Sequence, residues 1–372
     1  MDSKVSSAIA QFSAKFCNEL EKDKSVVSSP LSAEFLLALL TLGTSGPAHT
    51  ELLTALDIPN DDAVRSSFSI LITKLRGIQG VTFNVANKVY IKDGSYDLHP
   101  ELKEDAIKIF DAELEKVDFR QSAATVGAIN KWVEDKTNNK IKDLLSEDSV
   151  DSDTRLVLVN ALYFKGTWKN QFNPSATADR PFHLNANTTV NIPMMYREDR
   201  YSIGYSEALQ AQLLDIPYVG ENASMLIVLP QEIEGLNNVM AKLAAGHDLM
   251  AEMSNMHTVK VQVTIPKFKI ETEIDLKELL PKLGIKAIFE EFNSGLTKIL
   301  NVNEPLYVSK AVQKAFIEVN EEGAEAAAAT GTVATTRRAM PMDEFLADRP
   351  FLYLMLNGNP APLFIGAFRG VA

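Results

Sequence analysis

The segment from Asn320 to Pro350, NEEGAEAAAATGTVATTRRAMPMDEFLADRP, constrains this chain more than any other stretch. Before it, AVQKAFIEVN (Ala311 to Asn320) carries the β-branched and aromatic residues of a strand. After it, PFLYLMLNG (Pro350 to Gly358) has the unbroken apolar character of a buried strand. The roughly thirty residues between hold almost no large apolar side chain before Met340, and a loop that long inside a compact unit is either functional or disordered. From Gly323 to Thr332 the run is small and free of proline, so it keeps every backbone donor that a central strand needs. On strand geometry Ala324, Ala326, Ala328 and Thr330 share one face, and each is small enough to enter a packed core. Alanine is also the best helix former, so composition alone leaves a surface helix or a solvated linker open. The pair Arg337-Arg338 is open in the same way, as a solvated tip or as a recognition site.

At 372 residues and 46% hydrophobic content the chain can bury a large core. No Pro/Gly/Ser-rich linker, internal repeat or long charge block interrupts it, so one domain over residues 1–372 is expected. Acidic residues outnumber basic ones by 49 to 37, a net charge of −12, which argues against nucleic acid or an anionic membrane as the main partner. The longest apolar run, Phe35 to Leu42, is far too short to cross a bilayer, and MDSKVSSAIA lacks the apolar core of a signal peptide. A lone Cys17 excludes an internal disulfide and reads as a buried structural thiol. There is no GxSxG elbow, HExxH, CxxC, P-loop or GxGxxG. His49, His99, His183, His247 and His257 show no ligand spacing. Enzyme chemistry, a metal site and a cofactor are therefore not expected.

Along the chain, Ser3 to Lys22 places Ile9, Phe12, Phe16 and Leu20 at helical spacing. Ser29 is positioned as N-cap and Pro30 as first residue of a second helix, LSAEFLLALLTL. SSFSILITKLRGI is a further amphipathic helix whose Arg65, Lys74 and Arg76 do not cluster on one side. VTFNVANKVYIKDG reads as a strand, INKWVEDKTNNKIKDLL (Ile129 to Leu145) as a helix with Trp132 on its apolar face, and TRLVLVNALYFKGTW as a central strand.

Several of these phrases, in this order, resemble the serpin family, with an insect flavour. They are VVSSPLS, NKVYI, INKWVEDKTNNKIKDLL, LVNALYFKGTWKNQF, MLIVLP, IPKFKIETEIDLKELLPKLGI, EVNEEGAEAAAATG, FLADRPFLYLM and PLFIGAF, which together span essentially the whole chain. The resemblance implies an α+β fold of about nine helices around three β-sheets, with an exposed reactive-centre loop at about 321–345. It implies a suicide-substrate inhibitor of a protease, monomeric, with a hinge formed by Glu321, Gly323, Ala324, Glu325, Ala326, Ala327, Ala328, Ala329 and Thr330. Counting from Gly323 puts Arg337 before the cut bond, so Arg337–Arg338 is the reactive bond, with Arg338–Ala339 as the alternative register. Either register offers arginine to a trypsin-like serine protease, although a papain-like cysteine protease or a non-inhibitory carrier role stays open. Trp168 and Lys267 match the family's breach, where the loop first enters, with Lys267 the salt-bridge partner of Glu321; Trp168 is equally readable as a plain core aromatic. Ser29, Ser32, Asn160 and Gln313 match the shutter, the polar cluster beneath the main sheet, where Gln313 stands in place of a frequent family histidine. The helix that binds heparin in some members lacks a basic cluster here, so no glycosaminoglycan cofactor is indicated. The sequons Asn187-Thr188-Thr189 and Asn222-Ala223-Ser224 and the insect flavour favour an extracellular location, with a cytoplasmic one left open.

Overall fold

The structure, a computed structural model, describes residues 3–322, 342–358 and 361–370. Its helices are α1 (Ser3–Asn18), α2 (Pro30–Leu42), α3 (Gly46–Leu56), α4 (Asp61–Arg76), α5 (Pro100–Lys108), α6 (Ser122–Lys136), α7 (Leu236–Ala244), α8 (Leu249–Met253) and α9 (Leu276–Leu279). The strands are β1 (Val26–Ser28), β2 (Val81–Lys92), β3 (Glu113–Val117), β4 (Leu156–Gly166), β5 (Ala178–Asn185), β6 (Thr188–Ser206) and β7 (Ala211–Pro217). They continue with β8 (Ser224–Pro230), β9 (His257–Pro266), β10 (Phe268–Asp275), β11 (Val308–Val319), β12 (Asp343–Leu346), β13 (Phe351–Leu356) and β14 (Pro362–Phe368). The fold is α+β, with the nine helices packed around three sheets among the described residues.

One sheet has five strands in the order β10-β11-β4-β2-β3. The other two run into each other through the 19-residue β6, which pairs β5 with its first residues, β9 along its middle and β7 with its last. Hydrogen bonding therefore counts them as one nine-stranded network. β4 lies at the centre of the five-stranded sheet and is buried along almost its whole length. Its side chains alternate between two cores, as the two-residue strand period requires. Leu156, Leu158, Leu162 and Phe164 join the main core between the sheets, while Val157, Val159 and Ala161 face a smaller one under α6. Covering on both faces explains why the strand reads as apolar at both of its alternating positions, with Asn160 the buried polar exception.

The helix α2 fills the main core, and all thirteen of its residues are buried. It starts as the sequence predicts, with Ser29 as N-cap and Pro30 in the first turn, where a missing N–H costs nothing. α1 ends at Asn18 rather than Lys22, closed by tighter i→i−3 bonds from Glu19 and Leu20. The helix expected over Ile129–Leu145 is a larger correction. α6 begins earlier, at Ser122, and stops at Lys136, because Asn138 and Asn139 take left-handed φ of 53° and 58°. Trp132 does pack on the sheet, edge-on to Tyr90 with ring centroids 6.4 Å apart.

Candidate functional site

β11 and β4 are neighbours that run parallel, paired from Val308↔Leu156 to Ile317↔Phe164. Every other neighbour in this sheet except β2–β3 is antiparallel. Two polar clusters mark the β11–β4 seam, one at its upper end and one midway down.

At the upper end the chain leaves β11 through Asn320, Glu321 and Glu322, held by the segment after β4. Trp168 is 1% exposed and donates its indole N–H to the carbonyl of Asn320 at 2.8 Å. The Phe172 N–H reaches the Glu321 carbonyl at 2.9 Å. The indole stacks on Tyr218 with centroids 4.5 Å apart and planes 8° from parallel, a packed core position from which its N–H also meets the chain leaving β11. Lys267 Nζ lies 2.9 Å from Glu321 Oε2, and the Thr177 hydroxyl donates to Oε1 at 2.7 Å. Burial pushes the Glu321 carboxyl upward, but the Lys267 ammonium and the Thr177 hydroxyl outweigh it and hold the group below the usual glutamate range.

Midway down, Gln313, Asn160 and Asn87 occupy directly opposed positions on β11, β4 and β2. Opposed residues share a face, so the three amides form one row beneath the sheet, facing the start of α2. Gln313 accepts from the Ser29 N–H and donates to the Ser29 carbonyl, both at 2.9 Å, and donates its second amide hydrogen to Asn160 Oδ1. Asn160 donates to Ser32 Oγ at 2.6 Å and to Asn87 Oδ1, while Ser32 Oγ donates to Asn87 Oδ1 at 3.2 Å. Ser29 Oγ reaches across to the carbonyl of Leu363 on β14 at 2.6 Å. Every amide hydrogen of Gln313 and Asn160 is used, as a site this deeply buried demands.

The structure thus brings together Ser29, Ser32, Asn160 and Gln313 in one network and Trp168, Lys267 and Glu321 in another. Gly323, Ala324, Glu325, Ala326, Ala327, Ala328, Ala329, Thr330, Arg337, Arg338 and Ala339 lie outside the described residues. Four contributors escaped the sequence reading: Asn87, Thr177, Tyr218 and Asn320. Asn87 had a usable signal, an asparagine inside an apolar strand, where that residue is disfavoured. The others join through tertiary register, which no local pattern announces.

The family model described as Serpin (serine protease inhibitor) matches residues 7–370. The chain belongs to the serpins. It is 40% identical over 362 residues to Antichymotrypsin-2 of Bombyx mori, covering 96% of both proteins. Antitrypsin of the same species is also 40% identical, over 93% of this chain and 91% of that one. Among solved structures, the serpin fold is matched by Serpin48 of the insect Tenebrio molitor with a TM-score of 0.88 at 32% identity, over 100% of this chain and 99% of that one. This serpin is a protease inhibitor rather than an enzyme, and of the insect type. Two relatives at equal identity are named for different proteases, so the overall likeness does not carry a target with it.

Proposed function

We propose that this serpin inhibits trypsin-like serine proteases as a suicide substrate, cut after Arg337 or, in the alternative register, after Arg338. The observation that carries the reading is the parallel β11–β4 seam with the loop leaving from its upper end. A segment that folds back from Glu322 runs opposite to β11. Placed between β11 and β4 it is therefore antiparallel to both, so one parallel pairing becomes two antiparallel ones, which are the slightly stronger kind. On this reading the protease acylates on the arginine, the cut releases the loop, and the alanine-rich hinge enters the seam from the breach, parting the shutter. At about 3.3 Å per residue, about fifteen inserted residues carry the tethered protease about 50 Å. The guanidinium suits a protease with an acidic specificity pocket. Extracellular action belongs to the same proposal, supported by the two sequons, whose Asn187 and Asn222 are both exposed.

Incubation with trypsin, and with papain in a parallel lane, followed by a denaturing gel tests it. A detergent-stable band at the summed mass with trypsin is expected, and Edman sequencing of the released fragment reads Arg338 or Ala339 first. A stable band with papain alone moves the target to the cysteine proteases. Cleavage without a complex in either lane replaces inhibition with a carrier role.

A further inference from the structure

Away from the seam, a cavity of about 560 Å³ opens between α8 and the strands β6, β7 and β8. Its floor is set by register. Ser202 on β6 is directly opposed to Asp215 on β7, so both point into it, joined by Arg200 two residues back on β6. Asp215 is partly buried; its carboxyl is hydrogen-bonded to the Ser224 side chain, while its Oδ1 has no partner. The guanidinium of Arg200 is exposed, makes one hydrogen bond, to the Thr258 carbonyl at 3.3 Å, and has no carboxylate partner among the described residues. The remaining charges on the rim neutralise each other, with Lys169 Nζ 2.6 Å from Glu221. The opposite wall is apolar and includes Met250 and Met253 of α8.

The cavity therefore offers one acid without a cation and one cation without an acid on neighbouring strands, at a diagonal of about 7–8 Å between backbones. We propose that it binds a small zwitterion, an α-amino acid with an apolar side chain. The ammonium of such a ligand meets Asp215, its carboxylate meets Arg200, and its side chain lies against the two methionines. Methionine is unbranched and adapts to different shapes, so the wall selects for an apolar group more than for one outline. Burial pushes the Asp215 carboxyl upward, with the Ser224 side chain pulling the other way; a bound ammonium offsets the burial. The site shares a wall with the upper end of the seam, since the Lys169 N–H donates to the Pro217 carbonyl at 3.0 Å. It does not depend on how the loop works.

Isothermal titration calorimetry of the full chain with L-phenylalanine tests the proposal, with N-acetyl-L-phenylalanine and phenethylamine as probes lacking one charge each. Saturable binding of L-phenylalanine is expected, weakened about tenfold or more for each truncated probe and in both Asp215→Asn and Arg200→Met. Arg200 lies on the surface, so its variant keeps the test valid should Asp215→Asn melt early. Absence of a saturable signal with L-phenylalanine overturns the proposal, as does equal binding of the three probes or unchanged binding in the folded variants.

Discussion

Glu34 sits in the middle of α2, 1% exposed, with Oε2 bonded to nothing. Burial alone holds its carboxyl well above the usual glutamate range. A raised acid stabilises the folded state only where it stays protonated, so stability is fully present below the unfolded value and lost as pH rises through the folded one. Glu34→Met, of similar length and without the polar end, is expected to raise the melting temperature by several degrees at neutral pH, from about 1–3 kcal/mol of relieved burial. The gain should shrink towards the pH of an ordinary carboxyl; thermal melts at both ends of that range check it. Gln313 shows the opposite economy, three good bonds from one neutral amide. An imidazole has two nitrogens and cannot make all three. Gln313→His should melt lower than the parent and, because burial disfavours imidazolium, lose further stability as pH drops below about 6.5. Parallel melts at acid and neutral pH should show that slope in the variant alone.

Elements were legible in the sequence where a local rule fixes them. Ser29 and Pro30 announced α2, the β-branched and apolar stretch around Asn160 announced β4, and the β-branched stretch before the loop announced β11. The far end of α6 was not legible, because asparagine tolerates both helix and left-handed turn and no local pattern marks which one Asn138 and Asn139 adopt. The seam's polar partners were half visible. Gln313 and Asn160 came from the family pattern, whereas Asn87 needed the β2–β4 register to place it beside them. At the upper end, Lys267 is 44% exposed against 8% for Glu321, so solvent screens the pair and Lys267→Met should cost about 1 kcal/mol or less. That small loss should fade as acid protonates Glu321, measured as converging melts of variant and parent at low pH. The hinge belongs to this scale too. On the proposed mechanism Ala326 enters the core with the inserted strand, so Ala326→Arg should leave cleavage by trypsin intact and abolish the stable complex; a gel showing undiminished complex would count against insertion.

For the whole molecule, the proposed insertion makes a directional claim about stability. The five-stranded sheet as it stands pairs β11 with β4, and a sixth strand replaces that one ladder with two at its centre. Protein cut in the loop should therefore melt well above the intact protein, by calorimetry of trypsin-treated and untreated samples. Equal melting would mean that the cut loop stays outside. The chain's two ends are joined as well: β1 pairs with β14 from Val26↔Ala367 to Ser28↔Ile365, and α2 lies against β14 and is tied to it through Ser29. A helix that shows no face to water in the finished protein has nothing but water, or another chain, to meet until its cover exists. Synthesis at about 5–20 residues per second delivers β14 tens of seconds after α2 has left the ribosome. For that interval the flank of α2 that β14 covers stays open, while α3, α4, α5, β2 and β4, which also lie against the helix, arrive earlier. One apolar flank of the helix therefore faces water, and other chains, until late in synthesis, because of where the chain puts β14.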